Sequence, residues 1–352
     1  MLTTVIFDDV RLAYVPVPKA ASTTILKALS ELAGLRPEDL ARSRKLEVTR
    51  ALTVHDGSMW PSTHRLTGRV AAELDWILRS DEWFRFSVVR EPARRIWSAW
   101  VSKVLLRNPR FVLMFGEDLF PAPPLRAQDV IESFRRFIGA LPHRAEWSDG
   151  HWSAQADLLS VPDLTYSHIG RVEAIDRTVA EVGAYMRQRG ATLPKLGTEN
   201  RSFLPFSPGL FDRVAHGAHI RSTARDCETF GYEALPFVGE PDERWYAAVE
   251  ANIPAIRTVI EQNERFLDMW RVLTDRESAH SRARAPSGHG ARTAQTAVAL
   301  ARFRRGRGAG IAVRLAATAI ALAVIFVLLP EMFGDRPYDP RPSGWPAAIE
   351  SH

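Results

Sequence analysis

One pattern occurs twice in the first hundred or so residues: an apolar strand-like run, a short polar loop and then a helical pattern. The first copy runs from residues 11–17 into a helical pattern over 22–34, and the second from 83–89 into a helix from Pro92 to about residue 106. Strands that alternate with helices are the building unit of a parallel sheet. We therefore expect an α/β fold, with a central parallel sheet, helices on both faces and any ligand at the carboxyl ends of the strands.

The chain as a whole divides into four predicted parts. Residues 1–276 form the main domain, where further helices are expected at about 128–141, 208–230 and 242–273, and one is expected to end at Gly190. Residues 277–308 are rich in arginine and small residues without an apolar period, which is typical of a basic flexible linker. Residues 309–330 are predicted to form a transmembrane helix, and 331–352 a short tail.

The net charge of +5 argues against a nucleic-acid partner once it is located along the chain. Residues 277–352 hold 10 Arg and 5 Asp or Glu, which leaves 36 basic and 36 acidic residues in 1–276. A neutral main domain has no overall attraction for a polyanion such as DNA or RNA. The single cysteine, Cys227, excludes an internal disulfide and belongs to no cluster with zinc-ligand spacing.

Residues 309–329 are apolar apart from Arg314 and Thr318. As a helix rising about 1.5 Å per residue, they would reach about 31 Å, enough to cross the hydrocarbon core of a bilayer. Four arginines lie in 302–307 just before them. The positive-inside rule then predicts a single-pass membrane protein whose main domain faces the cytoplasm. Because the segment is rich in alanine, an amphipathic or buried terminal helix is the alternative.

The loop between the first strand and its helix, PKAASTT at 18–24, has the composition of a phosphate-binding turn. Such a turn needs free backbone N–H groups at a helix start, small side chains for close approach, and a cation. The glycines and the final GK[ST] of a nucleoside-triphosphatase loop are missing. A helix capped by Ser22 or Thr23, next to a solvated Lys19, is the alternative that stays open.

The second segment, FSVVREPARRIWSAW at 86–100, places Arg90 where the strand ends and Ser98 on the second turn of the helix. An arginine at the end of a strand and a hydroxyl on the next helix can hold one phosphate from two sides. The alternative is that Arg90 forms an ion pair with Glu91 or Glu82.

Together the two segments resemble the 5′-phosphosulfate and 3′-phosphate motifs of sulfotransferases that use 3′-phosphoadenosine 5′-phosphosulfate (PAPS). The closest resemblance is to the Golgi-type carbohydrate branch, the chondroitin and dermatan group of sulfotransferase family 2, and its bacterial relatives. Four later segments resemble further landmarks of that branch: HWSAQ (151–155), YSHIGRVEAID (166–176), the Asn200–Ser202 pair and DCETFGY (226–232). The resemblance covers about residues 11–235 and implies a P-loop-like sulfotransferase fold.

The resemblance also implies residue roles. Lys19 would be catalytic, contacting the oxygen that bridges phosphate and sulfate, where charge builds as the S–O bond breaks. Arg90 and Ser98 would bind the 3′ phosphate. The full set implied to bind PAPS is Lys19, Ala20, Ala21, Ser22, Thr23, Thr24, Arg90 and Ser98. The family needs no metal, and the sequence has no obvious carboxylate cluster for one.

Transfer to a hydroxyl also needs a base, and histidine suits neutral pH. His55 and His64 lie between the two phosphate motifs, where related sugar sulfotransferases carry their catalytic base. We prefer His55, in the turn-like sequence VHDG. His64, His151 and Glu47 stay open, as does a purely solvated surface position for His55.

The predicted function is therefore transfer of a sulfuryl group from PAPS to a hydroxyl of a carbohydrate or glycolipid. The alternatives are a non-sugar alcohol or lipid acceptor, a nucleotide or sugar kinase, and a non-catalytic tail-anchored nucleotide-binding or scaffold protein. The missing GK[ST] disfavours the kinase, and the presence of Lys19, Arg90 and Ser98 together disfavours a non-catalytic relic. The segment 107–150 resembles no landmark and is predicted to serve the acceptor.

Overall fold

The computed structural model describes residues 4–35, 50–64, 71–197 and 204–284. Within these ranges four strands form one sheet in the order β1–β2–β3–β4. Their bounds are β1 Val5–Phe7, β2 Leu12–Tyr14, β3 Phe84–Val89 and β4 His168–Arg171. β1 is antiparallel to β2, whereas β2, β3 and β4 are parallel to one another.

The sheet is thus mixed, and the expectation of a wholly parallel sheet was wrong. β1 and β2 are joined by a tight turn in which the Arg11 N–H donates to Asp8 O at 3.1 Å. A connection this short has no room for a crossover helix, so the two strands must pair as a hairpin. The strands that lead into both phosphate motifs are nevertheless parallel, and their carboxyl ends meet at one edge of the sheet.

The helices lie close to their predicted positions. They are α1 Ser22–Leu32, α2 Ala71–Arg79, α3 Pro92–Trp100, α4 Pro109–Phe115, α5 Ala127–Ala140, the short α6 Gln155–Leu158, α7 Ile175–Arg187, α8 Arg213–Phe230 and α9 Glu243–Arg284. The helix expected to run from Pro92 to about residue 106 changes character midway, because a π-helical turn, Val101–Leu105, follows α3.

Helices cover both faces of the sheet, as predicted. On one face, strand residues pack against α2 in a small cluster made of Ile6, Ala13, Ile77 and Trp83. On the other, they pack against α1 and α7 in a larger cluster that includes Leu12, Leu26, Phe86 and Val182. Because side chains alternate across a strand, β1 and β2 supply residues to both clusters.

A separate aromatic core holds α3 in place beside the sheet. Trp97 and Trp100 are buried and stack with their ring centroids 5.4 Å apart. Phe134 of α5 meets both rings edge-on, at 5.0 and 5.2 Å. Truncating a core tryptophan to alanine costs about 3–5 kcal/mol. The helix that follows Arg90 is therefore a rigid support.

The C-terminal part of the chain contributes α9, which continues through residues 277–284 of the predicted linker. The chain divides into two units, Met1–Asp275 and Arg276–His352. None of the helices in the described ranges is long and apolar enough to cross a membrane. The predicted transmembrane helix at 309–330 and the tail at 331–352 lie outside the described residues.

Candidate active site

The loop after β2 has an unusual backbone. Lys19 (φ 66°) and Ala21 (φ 57°) are both in the left-handed region, although neither is glycine. Such residues are uncommon and cluster at functional sites. A left-handed residue within a tight turn directs successive N–H groups into one concavity, and such concavities bind anions.

The start of α1 keeps its backbone donors free. Its N-cap residue, Ala21, makes no side-chain cap, and the first backbone bond runs from Ile25 N to Ala21 O at 3.1 Å. The N–H groups of Ser22, Thr23 and Thr24 therefore have no acceptor within the helix. The alternative of a helix capped by Ser22 or Thr23 was wrong.

Ala20 takes part in the loop differently from its neighbours. Its side chain is fully buried, in a cluster with Val17 and Val89, and its N–H donates to Val17 O at 3.2 Å. Its own amide is thus engaged in the turn. Ala20 anchors the loop to the carboxyl ends of the strands.

Lys19 is half-buried rather than solvated. Its pKa is lowered to about 7, chiefly by burial and further by the positive charges of Lys103 and Arg90. No carboxylate in the described ranges forms an ion pair with it. A desolvated cation among other cations is stabilised by a bound anion.

His55 is brought to this loop by the 3₁₀ turn Arg50–His55. Its Nε2 lies 2.8 Å from the Thr23 hydroxyl oxygen. Burial lowers the pKa of His55 to about 4, and the charges of Lys103, His151 and Lys19 act in the same direction. The residue is nevertheless exposed on one side, so solvent weakens the burial effect. With a pKa this low, the His55 imidazole is neutral at pH 7.

His64, the other histidine between the two phosphate motifs, lies elsewhere. Its Nδ1 is 3.1 Å from Ile6 O, and its ring centroid is 4.7 Å from that of Phe7. Both partners belong to β1, the edge strand. The structure therefore brings His55 to the loop and places His64 against β1. Glu47, the acidic alternative, lies outside the described residues.

The backbone of Arg90 is held at the end of β3 by a buried glutamine. The Arg90 N–H donates to Gln155 Oε1 at 2.9 Å, and Gln155 Nε2 donates to Arg90 O at 2.8 Å. Gln155 is itself fixed by Asp226, whose Oδ2 accepts from the Gln155 N–H at 2.9 Å. Both residues are buried. The landmarks HWSAQ (151–155) and DCETFGY (226–232) therefore meet at the backbone of Arg90, through Gln155 and Asp226.

The Arg90 side chain is left available to a ligand. Its Nη1 donates to Lys19 O at 3.3 Å, while Nε is buried without a partner in the described ranges. Burial lowers its pKa, an effect that Glu173 opposes. Glu91 caps α3, accepting from two backbone N–H groups, and Glu82 pairs with Arg11. The alternative of an Arg90 ion pair with either glutamate was wrong.

Ser98 lies one helical turn after Arg94, on the side of α3 that faces away from the aromatic core. The residue is half-buried. Its hydroxyl makes no hydrogen bond within the part of the chain that the structure describes. A hydroxyl in this position is free to donate to a ligand.

The landmark YSHIGRVEAID packs against the same region. Glu173 accepts from Glu91 N at 3.0 Å and from the Tyr232 hydroxyl at 3.1 Å. Gly170 lets β4 pack closely against α7, because a Cβ on it would lie 1.8 Å from Thr178 Oγ1. The Arg171 guanidinium lies 4.7 Å from the centre of the Tyr232 ring. The Asn200–Ser202 pair lies outside the described residues.

Two charged residues near the loop, Lys103 and Asp149, were not singled out from the sequence. Lys103 lies on the π-turn, with its Nζ 5.1 Å from the centre of the Phe111 ring. His151, which the sequence left open as a base, packs edge-on against the same ring at 5.2 Å. Its Nδ1 is 2.5 Å from Asp149 Oδ1. Helical periodicity predicts where a regular helix points its side chains, so the π-turn concealed Lys103.

The charges of this second group interact with those of the first. Burial, and then the charge of Arg110, lowers the pKa of Lys103 to about 8. The pKa of His151 falls to about 4, chiefly through burial, with Lys103 and Lys19 adding to the effect. The described residues contain no group of three or more His, Cys, Asp or Glu side chains that could hold a metal ion.

The helix α1 starts without a side-chain cap beside the half-buried Lys19, and Arg90 is held at the end of the neighbouring parallel strand. This arrangement suits a nucleotide that carries phosphates at two positions. A sequence model of the sulfotransferase family matches residues 2–203. The chain belongs to the sulfotransferase family. The matched region is more than half of the chain and contains the loop 18–24 and the segment 86–100. The family predicted from the motifs is thereby confirmed.

Curated relatives of this sulfotransferase include carbohydrate sulfotransferase 10 from three vertebrates. The protein of Danio rerio is 26% identical over 186 residues, that of Pongo abelii 26% over 184, and that of Gallus gallus 27% over 184. Each match covers 48% of this chain and 48% of the relative. The chain thus spans about half the length of the curated relatives it matches. No solved structure matches it significantly.

Proposed function

We propose that this protein transfers a sulfuryl group from PAPS to a hydroxyl of a carbohydrate. The observation that carries the proposal is the pairing of two anion sites at one edge of the sheet. The loop 18–24 offers free helix N–H groups and the half-buried Lys19. Arg90, with its unpartnered Nε, reaches the carbonyl oxygen of Lys19.

The assignment of PAPS as the donor rests on contacts to a 3′ phosphate, a group that AMP and ADP lack. In the proposed complex, the N–H groups of 22–24 and the hydroxyls of Thr23 and Thr24 hold the 5′ phosphate. Arg90 and Ser98 hold the 3′ phosphate, the group that distinguishes PAPS from ADP or AMP. An arginine binds a phosphate with charge-assisted, directional hydrogen bonds, and these are stronger than neutral ones.

The proposed reaction is an in-line displacement at sulfur. The acceptor oxygen forms a bond to sulfur while the bond from sulfur to the 5′-phosphate oxygen breaks, leaving its electron pair on that oxygen. Lys19 would stabilise the charge that develops there. The acceptor proton passes to a base, and we assign that role to His55. Its pKa is about 4, and an anionic donor bound beside it would raise that pKa.

A carbohydrate acceptor is favoured because the curated relatives are carbohydrate sulfotransferases by name. A non-sugar alcohol is the second candidate, since the segment 107–150 resembles no landmark of the family. Transfer of labelled sulfate from PAPS to panels of glycans, glycolipids and simple alcohols separates the two. A non-catalytic binding protein would label none of them.

The cofactor proposal is tested by isothermal titration with adenosine 3′,5′-bisphosphate, the product nucleotide. We expect it to bind much more tightly than AMP or ATP, because Arg90 and Ser98 engage only a 3′ phosphate. Equal affinities for the bisphosphate and AMP would contradict the assignment.

We also propose that residues 309–330 anchor the protein in a membrane, with the main domain on the cytoplasmic side. The support is their apolar length and the arginines before them. Acceptors held at a membrane, such as glycolipids, would then be favoured. Full-length protein should resist extraction by alkaline carbonate, and a chain ending at residue 284 should be soluble and still bind the bisphosphate. Full-length protein that is soluble without detergent would overturn the anchor.

A further inference from the structure

Lys103 lies where the helix after Arg90 departs from regular geometry. Leu106 N donates to Val101 O, and Asn108 N to Lys103 O, each at 3.1 Å and each five residues back. These are π-type bonds, which are rare and occur frequently at functional sites. Lys103 lies within this π-turn, where the winding departs from the α-helical period that predicts side-chain directions from sequence.

The ammonium of Lys103 lies in a half-buried position without a matching carboxylate. Its Nζ packs against the face of Phe111 at 5.1 Å, and no carboxylate in the described ranges forms an ion pair with it. The charge of Asp149 opposes the lowering of the Lys103 pKa, but Asp149 Oδ1 already accepts from the backbone and ring of His151 at 2.8 and 2.5 Å. The aromatic face stabilises the cation only in part.

The electrostatic neighbours of Lys103 place it at one end of the site. It lowers the pKa of Lys19, His55 and His151. The charges that act on Arg90 are a different set, Glu173, Arg94, Glu91 and Tyr232.

Geometry supports the same placement of Lys103. The buried Arg95 guanidinium donates to Pro18 O at 3.0 Å, to Ser153 O at 2.8 Å and to Gly150 O at 2.6 Å, and so joins the loop 18–24 to the segment that carries His151. His151 and Lys103 pack against the same Phe111 ring. Lys103 therefore belongs with the loop and the histidines.

We propose that Lys103 is a catalytic residue that binds the sulfuryl group during transfer, as a second ammonium beside Lys19. This rests on the proposed function, in which the sulfuryl group lies between Lys19 and the base. Lys103 stays protonated and donates to the non-bridging sulfuryl oxygens. Bond making and breaking at sulfur are as described above, and the acceptor proton goes to the base.

The test compares two nucleotides that differ only in the sulfuryl group. Dissociation constants of PAPS and of adenosine 3′,5′-bisphosphate are measured by titration, without acceptor, for the wild type, Lys103→Met and Lys103→Arg. Lys195→Met is the matched control, because Lys195 is exposed and lies outside the site. For Lys103→Met we expect PAPS affinity to fall about 10- to 100-fold, the range for a charge-assisted hydrogen bond. Bisphosphate affinity should change less than about threefold.

Lys103→Arg should recover part of the PAPS affinity, and Lys195→Met should match the wild type. Equal losses for the two nucleotides, or none, overturn the proposal for Lys103 while leaving the proposed function intact. Failure of the wild type to bind either nucleotide overturns both. Thermal unfolding of each variant shows whether it is folded, and Lys103→Gln replaces Lys103→Met if the latter is not.

Discussion

The candidate site has two ends, an arginine end at Arg90 and a lysine end at Lys19 and Lys103. The charges that surround these cations differ between the two ends. At the arginine end, Arg90 is close to Glu173 and Glu91, whose charges oppose the effect of burial on its pKa. At the lysine end, Lys19 and Lys103 have mainly cations and neutral histidines around them. Their pKa values fall to about 7 and about 8.

This difference in surrounding charge determines how the protonation of each end responds to a bound ligand. An arginine keeps its proton in proteins, so the arginine end has its charge whether or not a ligand is bound. A lysine whose pKa is lowered by burial is partly neutral at pH 8 and regains its charge when an anion arrives. The arginine end is thus preformed for recognition, and the lysine end is completed by the group on which chemistry is proposed to occur.

The largest effect that separates the two ends is expected from Lys19→Ala. Turnover should fall about 100- to 1000-fold, the usual cost of removing one donor that stabilises developing charge. Affinity for adenosine 3′,5′-bisphosphate should fall much less, because the bisphosphate lacks the sulfuryl group. Labelled-sulfate transfer and titration measure the two quantities. A loss of affinity with unchanged turnover at saturation would show that Lys19 only holds the nucleotide.

Arg90→Ala should act on recognition. Its loss removes a charge-assisted contact worth about 1.5–3 kcal/mol, equivalent to about 10- to 150-fold in affinity. We expect the preference for the bisphosphate over AMP to disappear, with AMP affinity little changed. Arg11→Ala is the control, since Arg11 is exposed and pairs with Glu82 away from the site. A preference that survives Arg90→Ala would place the 3′ phosphate elsewhere.

A smaller change in the same preference is expected from Gln155→Met. The substitution keeps the length of the side chain but removes the two hydrogen bonds that hold the Arg90 backbone. We expect the bisphosphate preference to fall several-fold while some of it remains, because the guanidinium is still present. Thermal unfolding must be followed in parallel, since Gln155 is fully buried. An unchanged bisphosphate preference in folded Gln155→Met would contradict a positioning role for Gln155.

The smallest effect is a fractional uptake of protons. The pKa of Lys19 is about 7 and that of Lys103 about 8, and a bound anion raises both. At pH 8 each lysine therefore gains part of a proton when PAPS binds, and PAPS affinity should decrease as the pH rises above about 7. Titration in buffers of different ionisation enthalpy should show net uptake, reduced in Lys19→Ala and in Lys103→Met. Net release would contradict the charge balance described for the lysine end.

At both ends of the site, the sequence predicts the binding segments better than it predicts their backbone geometry. The loop 18–24 and the segment 86–100 were recognised because each is contiguous, and a strand, a turn and a helix start impose their spacing on neighbouring residues. The left-handed Lys19 and Ala21 carry no such signal, since neither is a glycine. The hairpin of β1 and β2 could be inferred only from the shortness of its turn.

The sequence by itself determined the family and the strand–loop–helix units, because local propensity and contiguous motifs specify them, and it predicted Lys19, Thr23, Arg90 and Ser98 as ligand-binding residues. Only the tertiary structure decided which side chains meet there. Gln155 reaches Arg90 from 65 residues away, Asp226 fixes Gln155 from 71 residues further along the chain, and His55, rather than His64, meets Thr23. Lys103 entered the site through a π-turn. Contacts between distant segments follow from packing the whole core, which the order of residues along one segment does not encode.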